Sequence, residues 1–416
     1  MKAEIVSVGT ELLLGEITDT NATHISQQFA DIGVDLHYRH TVGDNLQRLA
    51  GVLETATSRS DVVVLCGGLG PTADDITRDA IAQVTDRPLR RDAAAVDHLR
   101  EFFQERGRTP TQSNFKQCDV PAGGELLQNT CGTAPGVFVQ HHGTMIFAVP
   151  GPPPEMREMM RLAVLPKLIE RGSRDGGRLY SRVLRLADIG ESNVASLFED
   201  LIENQTDPTI ALYASPGEVK VRLATKDPVE ASAGRRLDAT EALLREGLGS
   251  HVYGVDQDTM ESSVGSLLGQ RGETLAVAES CTGGLVASRV TDVPGASDYL
   301  IGAVVAYANE AKIGLLGVDE AIIQQHGAVS EECARAMAQG VREKFGADWG
   351  LATTGIAGPG GGTAEKPVGL VYMAVAGPSH TLCDSQNWPG TRDQFKQRVS
   401  QMVLNMLRKR LIADGR

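Results

Sequence analysis

Hydrophobic and polar positions along the chain alternate between two rhythms. Short β-branched runs at Glu4–Val8, Val34–Thr41 and Val62–Cys66 have the length of buried strands. Between them apolar residues recur at helical spacing. Ala22, Ile25, Phe29 and Ile32 fall on one face, with Asp19 placed to cap the helix and Gly33 to stop it. Leu46, Leu49 and Leu53 mark a second helix, and Met145–Val149 a late strand. The PGPPPEM that follows halts that strand before a helix running to about Glu170. This alternation predicts a parallel sheet covered by helices over residues 1–170.

The rhythm changes in residues 171–255. A charged, Gly-containing link, RGSRDGGR, leads into a strand near Leu179–Ala187 and a helix near Asn193–Glu203. Strands near Ile210–Ala214 and Val219–Thr225 follow, then a helix ending near Gly247. The order β-α-β-β-α reads as a small α+β segment. Residues 256–416 return to α/β alternation: strands at Leu275–Ala278, Ile301–Tyr307, Gly350–Thr353 and Leu370–Ala376, with helices from about Gly284, Ser330 and Asp393. The expected fold class is therefore two α/β domains with mainly parallel sheets, joined by the α+β segment. No internal repeat or low-complexity tract interrupts it.

Composition narrows what this fold can do. With 40 Lys and Arg against 53 Asp and Glu, the net charge is −13, which repels nucleic-acid backbones. No apolar run reaches the roughly 20 residues of a bilayer span. The N-terminus, MKAEIVSVGTELL, lacks the apolar core of a signal peptide, and a cytoplasmic address is expected. The six cysteines show neither a CxxC pair nor zinc spacing and read as reduced thiols.

Two constellations carry candidate chemistry. In the first 80 residues, Gly9-Thr10-Glu11, Gly43-Asp44-Asn45 and CGGLGPTADDITRDA (Cys66 to Ala80) sit where strands should end, the place where open parallel sheets bind ligands. Gly67, Gly68 and Gly70 would let the backbone approach a phosphate. Glu11, Asp44, Asp74 and Asp75 would hold a divalent cation bridging to it. The same residues also suit a tight turn with Asp74 or Asp75 as a helix cap.

The second constellation begins where the strand LAVA runs into Glu279-Ser280-Cys281-Thr282-Gly283-Gly284 and then a helix. A serine at such a turn, beside backbone amides, suits a nucleophile with an oxyanion hole. The motif equally suits a capped helix start. Serine needs a base. His326 lacks an obvious orienting Asp, and Lys312, on a helix with Ile313, Leu315 and Leu316, is the better candidate if burial lowers its pKa. Cys281 competes as nucleophile, but neighbouring residues at a turn point in different directions. A second glycine-rich loop, GIAGPGGG, places Gly358 and Gly360 where their amides could wrap a phosphate.

The segments GTELLLGEITDTN, TVGDN, GGLGPTADDITRDA, NTCGTAPG and AVPGPPPEM resemble the N-terminal domain of the CinA (competence/damage-inducible) family, itself similar to molybdopterin-binding domains. ESCTGG, PGAS, YANEAK, GAVSEE and GIAGPGGGTAEKPVG resemble the family's C-terminal domain. The middle segment is similar to the KH-like domain of long members, without the GxxG loop with which a KH module clamps nucleic acid. The resemblance implies domains at 1–170, 171–255 and 256–416. It implies a metal-dependent ADP-ribose pyrophosphatase in the first, releasing AMP and ribose 5-phosphate. Asp75 would take the principal acidic position, Glu11 would lie beside a Mg or transition-metal ion, and Asn21 and Asp44 would be further contacts. For the third it implies a nicotinamide mononucleotide (NMN) deamidase without a cofactor. Ser280 would attack, Lys312 would act as base, and amides near Thr282 and Gly283 would hold the oxyanion. Tyr307 and Asn309 would orient substrate or lysine, Thr354 and Gly355 would meet ribose or phosphate, and Arg392 would supply phosphate charge. Expected partners are small nucleotides, with a homodimer as assembly and no membrane or nucleic acid. A competence or DNA-repair binding protein with the catalytic folds kept as scaffolds, and a molybdopterin-type ligand in the first domain, are the competing readings.

Overall fold

The computed structural model describes residues 1–172 and 177–414, so the centre of the RGSRDGGR link, 173–176, lies outside the described residues. The chain divides into two compact units, residues 1–180 with 225–235, and residues 181–224 with 236–416.

In the first unit, β1 (Lys2–Val8), β2 (Asp35–Val42), β3 (Val62–Cys66), β4 (Glu125–Leu127), β5 (Gly136–His141) and β6 (Thr144–Val149) form one sheet in the order β2-β1-β3-β6-β5-β4. The four strands from β2 to β6 are parallel, while β5 and β4 run antiparallel at the edge. Every residue of β3 and β6 is buried, as expected of strands covered on both faces. Helix α1 (Thr20–Asp31) buries Ala22, Ile25 and Phe29 on one face, and the Asp19 carboxylate accepts the Ala22 amide at its start. On the other face α2 (Leu46–Thr57) buries Leu49 and Leu53, capped by Asn45, beside α3 (Thr77–Thr85). Strands β4 and β5 are absent from the sequence reading. β4 has only three residues, and β5 turns into β6 through His142 and Gly143, both at positive φ, without a run of β-branched residues to announce it.

In the middle segment β7 (Arg178–Leu186), β8 (Thr209–Ser215), β9 (Glu218–Asp227) and β10 (Val252–Val255) form a sheet ordered β8-β9-β7-β10. The helix expected near 193–203 is two short helices, Glu191–Leu197 and Glu199–Glu203, broken at Phe198.

The remaining sheet is ordered β12-β11-β13-β14-β15, from β11 (Leu275–Glu279), β12 (Leu300–Val305), β13 (Trp349–Gly355), β14 (Leu370–Ala376) and β15 (Thr381–Asn387). Neighbours β12, β11 and β13 pair in parallel, while β14 and β15 add two antiparallel pairings at one edge. Around it lie α4 (Leu285–Thr291), α5 (Asn309–Leu316), α6 (Glu331–Phe345) and α7 (Arg392–Asp414). Helices α5 and α6 meet so closely that a Cβ built on Gly340 would collide with the Leu316 carbonyl at the end of α5. All six cysteines are free. No helix among the described residues is long and apolar enough to cross a membrane.

Candidate active site

β11 is buried on both faces and delivers Glu279 and Ser280 to the carboxyl end of the parallel strands. There the chain turns through Cys281–Gly284. Gly283 and Gly284 both adopt positive φ, which a side chain would disfavour. Glu279 holds the turn. Its fully buried carboxylate accepts the amides of Gly284, Val286 and Ala287 at 2.9, 3.1 and 2.8 Å, satisfying donors that α4 leaves free at its start.

Ser280 faces Lys312 from α5. The two side chains are 8% and 1% exposed, and Lys312 Nζ lies 3.3 Å from Ser280 Oγ. The same Nζ donates to the Ala306 and Tyr307 carbonyls, each at 3.0 Å. Burial pushes the Lys312 amine below its ordinary value of 10.5, and no carboxylate pairs with it among the described residues. A neutral amine has two N–H bonds. Once unprotonated, Lys312 could keep both N–H bonds on the carbonyls and turn its lone pair to the Ser280 hydroxyl.

A cavity of about 180 Å³ opens onto this pair, lined also by Tyr307, Asn309, Thr354, Gly355 and Arg392. Arg392 Nη2 donates to the Tyr307 hydroxyl at 2.8 Å and Nη1 to the Gly358 carbonyl at 3.1 Å, so Gly358 positions the guanidinium. Thr354 donates to the Ala328 carbonyl at 2.7 Å. Cys281 reaches the cavity wall, but burial pushes its thiol up to about 12, so it carries no thiolate at neutral pH. His326 is exposed and lies 3.3 Å from Glu332, away from the cavity.

Four expected contacts fall outside the lining: Thr282, Gly283, Gly358 and Gly360. The Thr282 hydroxyl pairs with that of Thr353 at 2.7 Å, and the Gly283 amide donates to the Ser280 carbonyl at 3.2 Å, both holding the turn itself. Two residues the sequence reading passed over shape the site. Glu279 was visible only as a strand-end residue. Lys366, within AEKPVG, donates to the His326 and Val329 carbonyls at 2.5 and 2.7 Å, pinning the loop whose Ala328 and Val329 line the cavity.

In the first unit, Gly67 and Gly68 adopt positive φ, and side chains there would collide with the Val8 carbonyl and with Thr77. Asp75 staples the loop from within: one oxygen accepts the Gly70 amide at 2.7 Å, the other the Thr72 amide at 2.8 Å and the Thr72 hydroxyl. Asp74 is exposed, and its hydrogen bond with Thr72 lowers its pKa. Asp44 accepts from the Thr10 amide and hydroxyl at 3.1 and 2.7 Å, and the Glu11 carboxylate lies over Gly9. Asn21 donates to the Gly151 carbonyl at 2.6 Å. Arg78, also unremarked in the sequence, is buried beneath the loop and joins it to the next through the Leu69 and Pro135 carbonyls at 2.7 and 2.9 Å. The four acidic residues do not fit a ready-made metal cage. Among the described residues no three His, Cys, Asp or Glu side chains converge on a cation position.

The chain matches three family descriptions: "Probable molybdopterin binding domain" over residues 4–170, "Damage-inducible protein CinA KH domain" over 181–254 and "CinA C-terminal domain" over 257–411. A relative from Symbiobacterium thermophilum, whose assigned name ties it provisionally to competence and damage induction, is 48% identical over 422 residues, covering 99% of each chain. A CinA-like protein of Gloeobacter violaceus is 45% identical over 415 residues, covering 99% of this chain and 96% of its own. The crystal structure of competence/damage inducible protein CihA from Agrobacterium tumefaciens is 35% identical, covers 38% of this chain and 94% of its own, and has a TM-score of 0.36. With near-complete coverage at such identity, the chain belongs to the CinA family, in the full-length form that carries all three domains.

Proposed function

We propose that the protein is a bifunctional hydrolase of pyridine-nucleotide recycling, whose C-terminal domain converts NMN to nicotinate mononucleotide and ammonia. The observation that carries this reading is the Ser280 hydroxyl 3.3 Å from a buried lysine amine whose other two directions are taken by carbonyls. The neutral amine accepts the serine proton as Oγ attacks the carboxamide carbon, and the oxyanion would fall to backbone amides of the turn that begins at Ser280. The resulting ammonium gives its proton to the departing nitrogen, and ammonia leaves. Lys312 then takes a proton from water, which attacks the acyl ester and releases the nicotinate carboxylate and free serine. Arg392 and Tyr307 stand at the mouth, where they would meet the ribose phosphate. Ammonia release from NMN is the direct test.

The pH dependence has a fixed sign. Because Lys312 must be unprotonated to act, kcat/KM should rise with pH, and burial places the midpoint below 10.5. The same shift makes stability rise with pH between the folded and unfolded values of this amine, since the unfolded chain binds the proton more tightly there. A pH–rate profile and thermal melts over pH 7–10 check both. A flat profile removes Lys312 as the base.

For the first domain we propose hydrolysis of ADP-ribose to AMP and ribose 5-phosphate, with the diphosphate on the Gly67–Gly70 loop. A divalent ion, Mg or a transition metal, belongs to this reading, but no step is assigned to it, because the acidic residues form no cage for it. Asp75→Asn keeps one acceptor oxygen but loses the charge and the loop contacts of the oxygen it replaces. It should lower ADP-ribose hydrolysis by roughly a hundredfold while sparing ammonia release. Hydrolysis that survives both this change and chelation would exclude the site.

A further inference from the structure

The unit that carries Ser280 has a second recess, and two of its hydrogen-bond donors, on Trp388 and Arg398, lack acceptors among the described residues. Two cavities of about 360 and 590 Å³ adjoin there, sharing Ala214, Ser215, Trp388 and Arg398. The Arg398 guanidinium lies 4.2 Å from the Trp388 ring centroid, a cation–π contact. Among the described residues Arg398 has no carboxylate partner and no acceptor, and the buried Trp388 Nε1 donates to nothing. Of the four carboxylates in the wall of the larger cavity, Asp188 accepts from Asn405 at 2.7 Å, Glu218 from Arg185 at 3.0 Å and Asp384 from the Ser385 amide at 2.9 Å, while Glu191 stands at the first turn of its short helix. Arg398 is the single charge in the wall of the smaller one.

The buried indole nitrogen without an acceptor costs free energy, and the half-buried guanidinium beside it is open to an anion, so the two groups describe the ligand that would satisfy them. It needs a planar ring to lie against the indole and an oxyanion for the guanidinium. We infer that this recess binds an aromatic carboxylate of the class of nicotinate mononucleotide, and is a product-sensing site separate from the Ser280 cavity. The inference rests on the deamidase reading for the identity of the ligand. Deamidation replaces a neutral carboxamide by a carboxylate on the same ring, and an unpaired guanidinium distinguishes the two by charge. A route back to the active site is built into the chain. Trp388 donates its amide to the Gly369 carbonyl at 2.9 Å, and four residues later the same segment delivers Arg392 to the Ser280 cavity. A ligand that shifts residues 388–391 therefore changes where Arg392 holds Tyr307.

Trp388 is one of only two tryptophans, and the other, Trp349, is 1% exposed, so intrinsic fluorescence reads this recess. The test titrates the full-length Ser280→Ala protein, which binds without turnover, with nicotinate mononucleotide, NMN and inorganic phosphate. We expect a saturable change with nicotinate mononucleotide, at least about tenfold weaker in Arg398→Gln, with NMN binding more weakly and phosphate alone giving no response. Equal responses to the two nucleotides, a response to phosphate alone, or a titration indifferent to Arg398→Gln would overturn the inference. If Arg398→Gln shows no cooperative thermal transition, Arg398→Lys replaces it. That variant keeps the charge and loses the planar fork, so a weakened response supports the site and an unchanged one overturns it. Ammonia release by the unmutated protein is measured separately. Its absence would remove the deamidase reading and leave the binding result standing.

Discussion

Replacement of Ser280 by Ala is expected to abolish ammonia release from NMN, with kcat falling by about four orders of magnitude or more. The cavity should still take the substrate, because Tyr307, Thr354 and Arg392 keep their hydrogen bonds, so binding changes little while chemistry stops. Lys312→Ala should be as severe, for a different reason: the hydroxyl remains, but nothing accepts its proton. Since the two groups act as one unit, the double variant should be scarcely worse than either single one. Additive losses would mean that the pair does not share a step. Substantial ammonia release by Ser280→Ala would end the proposal outright.

Glu279→Ala should combine a stability loss with a catalytic one. Its carboxylate is the acceptor for three amides in a fully buried position. Removing it leaves three donors to find water or nothing, a loss of roughly 3 kcal/mol. In a unit of this size that corresponds to a fall of about 6–12 °C in Tm. The turn that aims Ser280 would relax, and a displacement near 1 Å should reduce kcat by about a hundredfold with a smaller effect on KM. Glu279→Gln, which retains one acceptor oxygen, should recover part of both. Thermal melts with steady-state kinetics separate this from a helix-capping role alone, in which Tm would fall and kcat per folded molecule would not.

The sequence announced what local chemistry controls. Strand β3 is five consecutive apolar residues, and α1 shows its buried face at spacings of three and four, so both were readable. The β4–β5 edge and β15 were not. Antiparallel edge strands such as Thr381–Asn387 alternate exposed and half-buried positions and carry ordinary polar residues. Within the site, Ser280 and the glycines that follow signal a strained turn, whereas Lys312 stands 32 residues away and meets the serine only through the crossing of β11 and α5. Glu279 was silent because a buried carboxylate that accepts only backbone amides leaves no partner side chain in the sequence. Arg78 was silent likewise, its partners being two carbonyls in different loops.

The tight seat of Gly340 against the Leu316 carbonyl acts as a spacer gauge for the gap between Lys312 and Ser280. The helix that carries Lys312 cannot drift towards its neighbour without collision, and any bulk added at the contact pushes it outward. Sensitivity to change should therefore follow mechanical linkage to Lys312 rather than distance from the Ser280 cavity. A position that never meets substrate can be as intolerant as one that does.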